Sequence, residues 1–216
     1  MDAQELIEAA RALTPAPGGR FLLGIAGAPG AGKSTLARLL VAELRDRLGP
    51  DAAAYVPMDG FHLSNVQLAR LGLTDRKGSA PSFDVWGYLA LLRRLREQRP
   101  TEPVYVPDYD RELHEPVAAR HLVTPATRLV VTEGNYLATG AAGGPGWAEV
   151  RAALDAIWFL STPDPVRDTR LLARQQAGGL DPTAARAWVD TNDHPNGALV
   201  NAHVSADVRV ITVDVI

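Results

Sequence analysis

Short apolar runs alternate along the chain with longer segments in which apolar residues recur at helical spacing. The short runs are β-prone, as expected for buried strands, and cover residues 20–26, 53–58, 128–132, 156–160 and 208–213. Helical spacing predicts helices over 35–48, 64–72, 85–99, 147–154 and 188–204, the last one broken near 194–197. This order of elements is typical of an α/β fold in which helices cover a largely parallel sheet.

The first run leads into a glycine-rich stretch that fits the phosphate-binding P-loop pattern G-x-x-x-x-G-K-[ST]. Its glycines allow successive backbone N–H groups to turn towards one anion, and the positive end of the following helix points to the same place. Lys33 supplies a charge for the outer phosphates, and the Ser34 hydroxyl is placed to hold Mg²⁺. The alternative is a strand–helix turn that binds nothing. We predict a nucleotide site formed by Gly27, Ala28, Pro29, Gly30, Ala31, Gly32, Lys33, Ser34 and Thr35.

Acidic residues follow two of the other predicted strands. Ligands of open α/β sheets bind beyond the carboxyl ends of the strands, where Asp59 and Glu133 fall. Asp59 could accept the proton of a substrate hydroxyl as the γ-phosphate leaves ATP, or it could be an ordinary turn or N-cap residue. Glu133 takes the place of the Walker B acid and is expected near Mg²⁺, directly or through water, or on the substrate side.

Three arginines lie three and four residues apart after the fourth predicted strand, so they share one face of a helix. Arg167, Arg170 and Arg174 have the arrangement of a lid that closes over ATP and neutralises the transferring phosphoryl group. A solvated helix face is the ordinary alternative. We expect Arg170 and Arg174 to contact the ATP phosphates, and Arg174 to be catalytic.

Polar residues between the second and fourth predicted strands are candidates for substrate binding. Residues 103–107 are β-prone, but their two prolines limit them to an edge strand or an extended loop. They lead to Tyr109, Asp110 and His114, a mixture that suits a polar small molecule and equally a surface loop. Lys77 is one of two lysines beside twenty arginines. That bias weakly favours a required point charge, with a surface residue as the alternative.

Composition and charge exclude several classes of function. The 216 residues are 46% hydrophobic, which suits one globular domain, and the net charge of −3 gives no general attraction for nucleic acid or an acidic membrane. The absence of cysteine excludes thiol catalysis, disulfides and Cys-ligated zinc, and is compatible with a reducing cytoplasm. We expect neither a signal peptide nor a membrane span. A cytoplasmic protein is therefore expected, and a homodimer remains open.

Several motifs together resemble those of one family. With the P-loop, they make the chain similar to the small-molecule P-loop kinases that include uridine kinase, phosphoribulokinase and bacterial pantothenate kinase. The likeness is greatest to a bacterial branch often labelled nucleoside/nucleotide kinase-like or fructokinase-like. The motifs are Met58-Asp59-Gly60-Phe61-His62 with Asn65, Phe83-Asp84-Val85, Tyr109-Asp110-Arg111 with His114, Thr132-Glu133-Gly134-Asn135-Tyr136, and Trp188-Val189 with Asn192-Asp193 and Asn196.

The resemblance implies a P-loop NTPase three-layer sandwich, with a parallel five-stranded sheet, helices on both faces and a small helical lid. We expect a single P-loop kinase domain over 1–216, with the lid at about 162–197. The resemblance also implies Asp59 as the base, Glu133 near the metal and lid arginines on the phosphates. Its acceptor pocket would be lined by Tyr109 and His114, and we expect further substrate contacts from His62, Lys77, Asp84, Asp110, Glu133 and Asn135.

One departure from the family pattern bears on the substrate. Relatives commonly carry Pro-Asp before the Phe-Asp pair, whereas this chain has Ala80-Pro81-Ser82. A carboxylate that would grip sugar hydroxyls is then missing, unless Asp84 substitutes for it. This departure weakens the case for a nucleoside more than it weakens the case for kinase chemistry.

The expected activity is an ATP-dependent phosphotransferase that moves the γ-phosphate of ATP to a hydroxyl of a nucleoside, sugar or pantothenate-like alcohol, with Mg²⁺. The alternative is a nucleotide-dependent switch or chaperone of the GTPase type, which binds nucleotide without metabolic kinase activity. Such GTPases usually carry an N-K-x-D signature. Neither Lys33 nor Lys77 follows an asparagine, so the sequence favours ATP and catalysis.

Overall fold

The computed structural model describes residues 2–97, 101–205 and 207–212. Its strands are β1 Phe21–Ala26, β2 Ala53–Pro57, β3 Val104–Asp110, β4 Glu115–Val123, β5 Leu129–Gly134, β6 Ala156–Ser161 and β7 Arg209–Thr212. Its α-helices are α1 Ala3–Leu13, α2 Lys33–Leu48, α3 Asn65–Leu71, α4 Val85–Glu97, α5 Trp147–Ala152, α6 Asp164–Ala177, α7 Pro182–Trp188 and α8 His194–Ala202. The predicted ends of two elements, at residues 99 and 213, lie outside the described residues.

Five of the strands form one parallel sheet in the order β2-β5-β1-β6-β7, which confirms the predicted five-stranded parallel sheet. The central strand β1 pairs with β5 on one side and with β6 on the other. The register places Pro57 of β2 opposite Glu133 of β5, and Ala26 of β1 opposite Gly134. The segments that follow β1, β2 and β5 therefore leave one edge of the sheet side by side, where α/β sheets bind ligands.

Helices cover both faces of the sheet because its central strands are apolar on both sides. Alternate residues of a strand point to opposite faces. Leu22 and Val130 pack with α4 and α5, whereas Leu23 and Val131 pack with α1 and α2. Full burial of such a side chain contributes roughly 1.5–3 kcal/mol to the stability of the fold. The apolar strand residues therefore stabilise the packing of helices on both faces. The predicted three-layer α/β architecture is confirmed.

A two-stranded antiparallel hairpin of β3 and β4 stands apart from the main sheet. Its register is irregular between Val106 and Asp108, at Pro107, a residue that has no N–H for a ladder. The sequence predicted an edge strand or extended loop at 103–107 and did not predict β4. The reason is that β4 is largely exposed or half-buried, so its sequence contains no apolar run.

The predicted break near residues 194–197 is wrong. Helices α7 and α8 are joined by a π-helical turn, Val189–Asp193, and the helical path is continuous from Pro182 to Ala202. Pro195, which has no N–H to donate, lies just after this π-helical turn, where the regular hydrogen-bond ladder is already interrupted. No helix of the described chain is both long enough and apolar enough to reach across a bilayer.

Candidate active site

The P-loop connects β1 to α2 and encloses the side chain of Lys33. Gly30 and Gly32 have φ angles of 79° and 99°, which favour glycine. A Cβ on Gly30 would also stand 2.9 Å from the backbone oxygen of Arg167. Lys33 Nζ donates to the backbone oxygen of Ala28 at 3.0 Å and to Asn135 Oδ1 at 2.7 Å. The loop thus presents a helix N-terminus and a buried cation together, an arrangement that suits a polyphosphate.

Lys33 is only 8% exposed. Burial lowers the pKa of its ammonium to about 8, although the charges of Glu133 and Asp59 act in the opposite direction. An anion placed beside a desolvated cation favours its charged form. The cation is therefore electrostatically prepared for an anionic ligand inside the cavity.

Ser34 and Glu133 bring two oxygen donors together beside the P-loop. Ser34 Oγ donates to Glu133 Oε1 at 3.0 Å, and the hydroxyl of Tyr55 donates to the same oxygen at 2.7 Å. Burial, and then the charge of Asp59, raise the pKa of the Glu133 carboxyl. A hydroxyl and a carboxylate fit Mg²⁺, which takes its other ligands from water and phosphate. In the described part of the chain, no cluster of three His, Asp or Glu side chains could cage a metal alone.

Asp59 follows β2 in a 3₁₀ turn, Met58–Phe61, and its side chain is 31% exposed. Its Oδ2 lies 4.0 Å from Arg111 Nη2 on the β3–β4 hairpin. The next residue, Gly60, explains how the hairpin comes so close. A Cβ on Gly60 would stand 2.3 Å from the backbone oxygen of Pro107, so only glycine fits there.

Two adjoining cavities meet at Asp59. The P-loop cavity, of about 350 Å³, is lined by the P-loop together with Tyr55, Glu133 and Arg170. The second cavity, of about 540 Å³, is lined by residues predicted on the substrate side, among them His62, Lys77, Tyr109 and His114. Both cavities are lined by Pro29, Asp59, Tyr109, Arg111, Asn135 and Arg174.

Some residues of the P-loop line the cavity, and others lie behind its wall. The wall is formed by Pro29, Gly30, Gly32, Lys33, Ser34 and Thr35. Gly27, Ala28 and Ala31 line neither of the two cavities. A Cβ on Gly27 would stand 2.7 Å from the backbone oxygen of Leu160. These three residues therefore shape the loop from behind.

The arginines of α6 do not act alike. Arg170 and Arg174 line the P-loop cavity, and Arg174 Nη2 also donates to Asp193 Oδ1 at 3.1 Å. Arg167 is buried and lines neither cavity. Its Nη1 donates to the backbone oxygen of Pro29 at 3.1 Å and its Nη2 donates to Asp164 Oδ1 at 2.6 Å. Arg167 thus anchors α6 under the P-loop.

An aromatic group forms one wall of the second cavity. The ring of His62 lies 4.1 Å from that of Phe83 and 4.8 Å from that of Tyr109, between ring centroids. Burial lowers the pKa of His62, which favours the neutral imidazole. Lys77 Nζ lies 5.1 Å from the Tyr109 ring centroid and donates to Asn65 Oδ1 and the backbone oxygen of His114, both at 2.5 Å.

Two predicted substrate residues do not reach either cavity, and these expectations are corrected. Asp84 is exposed, and its Oδ1 accepts the N–H of Gly87 at 2.9 Å in the first turn of α4. Asp110 accepts the N–H groups of Glu112 and Leu113 at the tip of the hairpin. In both cases a short acidic side chain bonds to a nearby backbone N–H, as such residues do at helix starts and turns. Asp84 therefore does not supply the missing carboxylate.

A polar cluster on the π-helical turn and α8 was missed as part of the site. Asn192, Asp193 and Asn196 are buried. Asn192 Nδ2 donates to the backbone oxygen of Lys77 at 2.7 Å, and Asp193 accepts from Arg174 and Gln175. Asp193 and Asn196 line the second cavity. The available signal was the i, i+4 spacing of the two asparagines within a helical stretch.

No protein-family model matches the chain. A Schizosaccharomyces pombe protein described as a candidate uridine kinase is 31% identical over 191 residues, which cover 86% of this chain and 80% of that protein. A pantothenate kinase of Limosilactobacillus reuteri is 33% identical over 115 residues, 53% of this chain and 36% of that enzyme. The crystal structure of a candidate fructose transport system kinase from a Silicibacter species aligns with a TM-score of 0.84 and 36% identity, over 97% of this chain and 98% of its own. The chain therefore belongs to the superfamily of P-loop small-molecule kinases that includes uridine kinase and pantothenate kinase.

Proposed function

We propose that the protein is an ATP-dependent phosphotransferase that moves the γ-phosphoryl group of ATP to a hydroxyl of a small alcohol. The observation that carries this proposal is the position of Asp59. Its carboxylate lies where the P-loop cavity meets a second cavity large enough for a metabolite. Phosphoryl transfer requires this arrangement, with a donor site and an acceptor site open to each other and a group that orients the nucleophile between them.

The P-loop cavity would hold the triphosphate. Lys33 would exchange its hydrogen bond to Asn135 for phosphate oxygens, and the N–H groups at the start of α2 would bind the same anion. Ser34 and Glu133 would hold Mg²⁺, Glu133 directly or through water. The bound ion would offset negative charge on the phosphates.

Asp59 would act as the base. The acceptor oxygen forms a bond to the γ-phosphorus while the bond from that phosphorus to the β,γ-bridging oxygen breaks and ADP leaves. The acceptor hydroxyl gives its proton to the Asp59 carboxylate. Arg111 Nη2, 4.0 Å from Asp59 Oδ2, places a positive charge beside this carboxylate.

Helices of the region at about 162–197 would form a small lid on a single domain spanning 1–216. Arg170 and Arg174 on α6 line the P-loop cavity and would neutralise charge on the transferring group, with Arg174 as the catalytic arginine. Lys77 and Asn192, which are joined by a hydrogen bond at 2.7 Å, link this region to the far wall of the second cavity. Closure of the lid would exclude water.

The acceptor would be neutral or weakly charged, such as a nucleoside, a sugar or another polyol, or a pantothenate-like alcohol. Three cationic side chains line the second cavity. Two of them donate to protein acceptors, and the third lies near a carboxylate. Lys77 donates to Asn65 and His114, Arg174 donates to Asp193, and Arg111 faces Asp59. A phosphorylated acceptor requires several cations that converge on it. With Arg174 assigned to the transferring group, only Lys77 and Arg111 remain among the described cationic residues of this cavity.

The test is a panel of nucleosides, ketoses, pentoses and pantothenate, with ATP and Mg²⁺, read by release of ADP. The proposal expects one class of alcohol to raise ADP release well above the acceptor-free rate. Tight ATP binding with no stimulation by any alcohol would contradict it and favour a nucleotide switch.

A further inference from the structure

The hydroxyl of Tyr55 is held against the carboxylate proposed for the metal site. It donates to Glu133 Oε1 at 2.7 Å, and Ser34 Oγ donates to the same atom. Both Glu133 and Tyr55 are buried. The orientation of a buried carboxylate is set by the donors that reach it, so Tyr55 and Ser34 together fix where Glu133 points.

The strand register explains why a tyrosine can do this. Tyr55 on β2 is paired with Val131 on β5, and Glu133 lies two residues further along β5. Residues two apart on a strand share a face, so Tyr55 and Glu133 are diagonal neighbours on the same side of the sheet. An aliphatic side chain at position 55 would leave this gap open, whereas the phenol spans it and ends in a donor.

The ring of Tyr55 is itself held in place. The ring of His121 on β4 meets it edge-on at 5.2 Å and 86°, and the guanidinium of Arg38 lies 5.2 Å above it. His121 Nε2 in turn lies 2.8 Å from Asp108 Oδ2, and Asp108 lines the P-loop cavity. A fixed ring gives a fixed hydroxyl, which is what a preorganised metal ligand requires.

Any buried tyrosine hydroxyl needs a partner, so the bond to Glu133 could serve packing alone. Tyr88 supplies the comparison. It is fully buried, and its hydroxyl lies 2.5 Å from Thr132 Oγ1. Thr132 precedes Glu133 on β5 and points to the opposite face, and Tyr88 lines neither cavity. Tyr88 thus provides a buried phenol beside β5 without contact to the metal site.

We propose that Tyr55 is a positioning residue for the divalent-cation site, which orients the Glu133 carboxylate towards the space beside Ser34. This proposal rests on the proposed function in one respect, since it takes Glu133 to hold Mg²⁺. It concerns binding of the ion and not the transfer step.

The experiment compares Tyr55→Phe with Tyr88→Phe, each of which removes one buried hydroxyl and keeps the ring. Calorimetry measures ATP binding with and without Mg²⁺, and steady-state assays measure the Mg²⁺ concentration that gives half-maximal activity. For Tyr55→Phe we expect this concentration to rise about 10-fold or more, the usual effect of losing a partner of a metal ligand. Its ATP affinity without Mg²⁺ should not change, and Tyr88→Phe should leave both quantities unchanged. Equal effects of the two variants would overturn the proposal, as would an equal loss of ATP affinity with and without Mg²⁺.

Glu133→Gln separates this inference from the function on which it rests. We expect Glu133→Gln to raise the Mg²⁺ requirement, and Tyr55→Phe to add nothing further in that background. If Glu133→Gln leaves Mg²⁺ dependence intact, the metal role of Glu133 and the Tyr55 proposal both fail. If Glu133→Gln changes the Mg²⁺ requirement and Tyr55→Phe does not, the metal role of Glu133 stands and only the Tyr55 proposal fails.

Should Tyr55→Phe not fold, His121→Ala replaces it, because this change frees the Tyr55 ring but keeps its hydroxyl. A raised Mg²⁺ requirement then supports the proposal, and an unchanged one contradicts it.

Discussion

The ammonium group of Lys33 lies 2.7 Å from Asn135 Oδ1 and donates a hydrogen bond to it. This bond joins the P-loop after β1 to the segment after β5, two neighbouring strands of the sheet. Asn135 lines both cavities. The buried cation of the P-loop cavity is therefore bonded to a residue that the two cavities share.

The first prediction concerns phosphate binding. Lys33→Ala removes the buried cation and should lower ATP affinity by at least about 10²-fold without unfolding the protein, because a charge-assisted contact in a desolvated site is among the stronger ones. Isothermal titration calorimetry measures the affinity, and circular dichroism checks the fold. Lys77→Ala, which removes the other lysine of the chain, is the matched control and should keep ATP affinity. An unchanged affinity in Lys33→Ala would remove the basis for a nucleotide site.

The second prediction concerns the base. Asp59→Asn keeps the shape of the side chain and removes its ability to accept a proton, so turnover should fall by roughly 10²–10⁴ while ATP binding is kept. Asp84→Asn is the control, because Asp84 is exposed and bonds only to the start of α4, and its turnover should match the wild type. Turnover of Asp59→Asn within a few-fold of wild type would reduce Asp59 to a turn residue.

The third prediction concerns stability and pH. Burial lowers the pKa of Lys33 from 10.5 to about 8, so the unfolded chain binds this proton more tightly than the folded protein does. Below about pH 8 the cost of burying the charged ammonium lowers the free energy of unfolding by about 3 kcal/mol. This cost disappears as the pH rises towards about 10.5, where the lysine is neutral in both states.

Lys33→Met lacks the titrating group and is the reference for this effect. The free energy of unfolding in urea is measured for both proteins. The value for the wild type minus the value for Lys33→Met should increase between about pH 7 and about pH 9.5. A difference that stays constant across this range would show that burial does not lower the pKa of Lys33.

The fourth prediction concerns the charge of the acceptor. An alcohol that the protein phosphorylates should be used in preference to its own monophosphate at the same ATP concentration. The reason is that Arg174 is assigned to the transferring group, Lys77 already donates to Asn65 and Arg111 faces Asp59. Steady-state kinetics with both compounds measure this preference. Efficient use of the monophosphate alone would contradict it, and Lys77→Ala should then raise the KM for that compound sharply.

The sequence predicts the main sheet well because its strands are buried. The apolar runs at 20–26 and 128–132 became the paired strands β1 and β5, since a fully buried strand requires apolar residues on both faces. Strand β4 has no such requirement, because it pairs with β3 alone and all but one of its side chains are exposed or half-buried. Its existence depends on pairing with β3, a contact that no local pattern records.

The candidate site is predictable where backbone position alone decides it. Asp59 follows β2 and Glu133 lies near the end of the neighbouring strand β5, so the sheet brings them to the same edge. Asp84 and Asp110 belong to equally suggestive motifs, but their side chains turn to nearby N–H groups. Side-chain direction depends on such local competition, which a motif does not encode.

Transfer of a labelled phosphoryl group would show whether Asp59 joins a donor site to an acceptor site. The protein is incubated with ATP labelled in the γ-phosphate, Mg²⁺ and the alcohol that stimulates ADP release, and the products are separated. We expect label in the phosphorylated alcohol with the wild type, and a loss of roughly 10²–10⁴ in the rate of that transfer with Asp59→Asn. Label found only in inorganic phosphate, or equal transfer by both proteins, would contradict it.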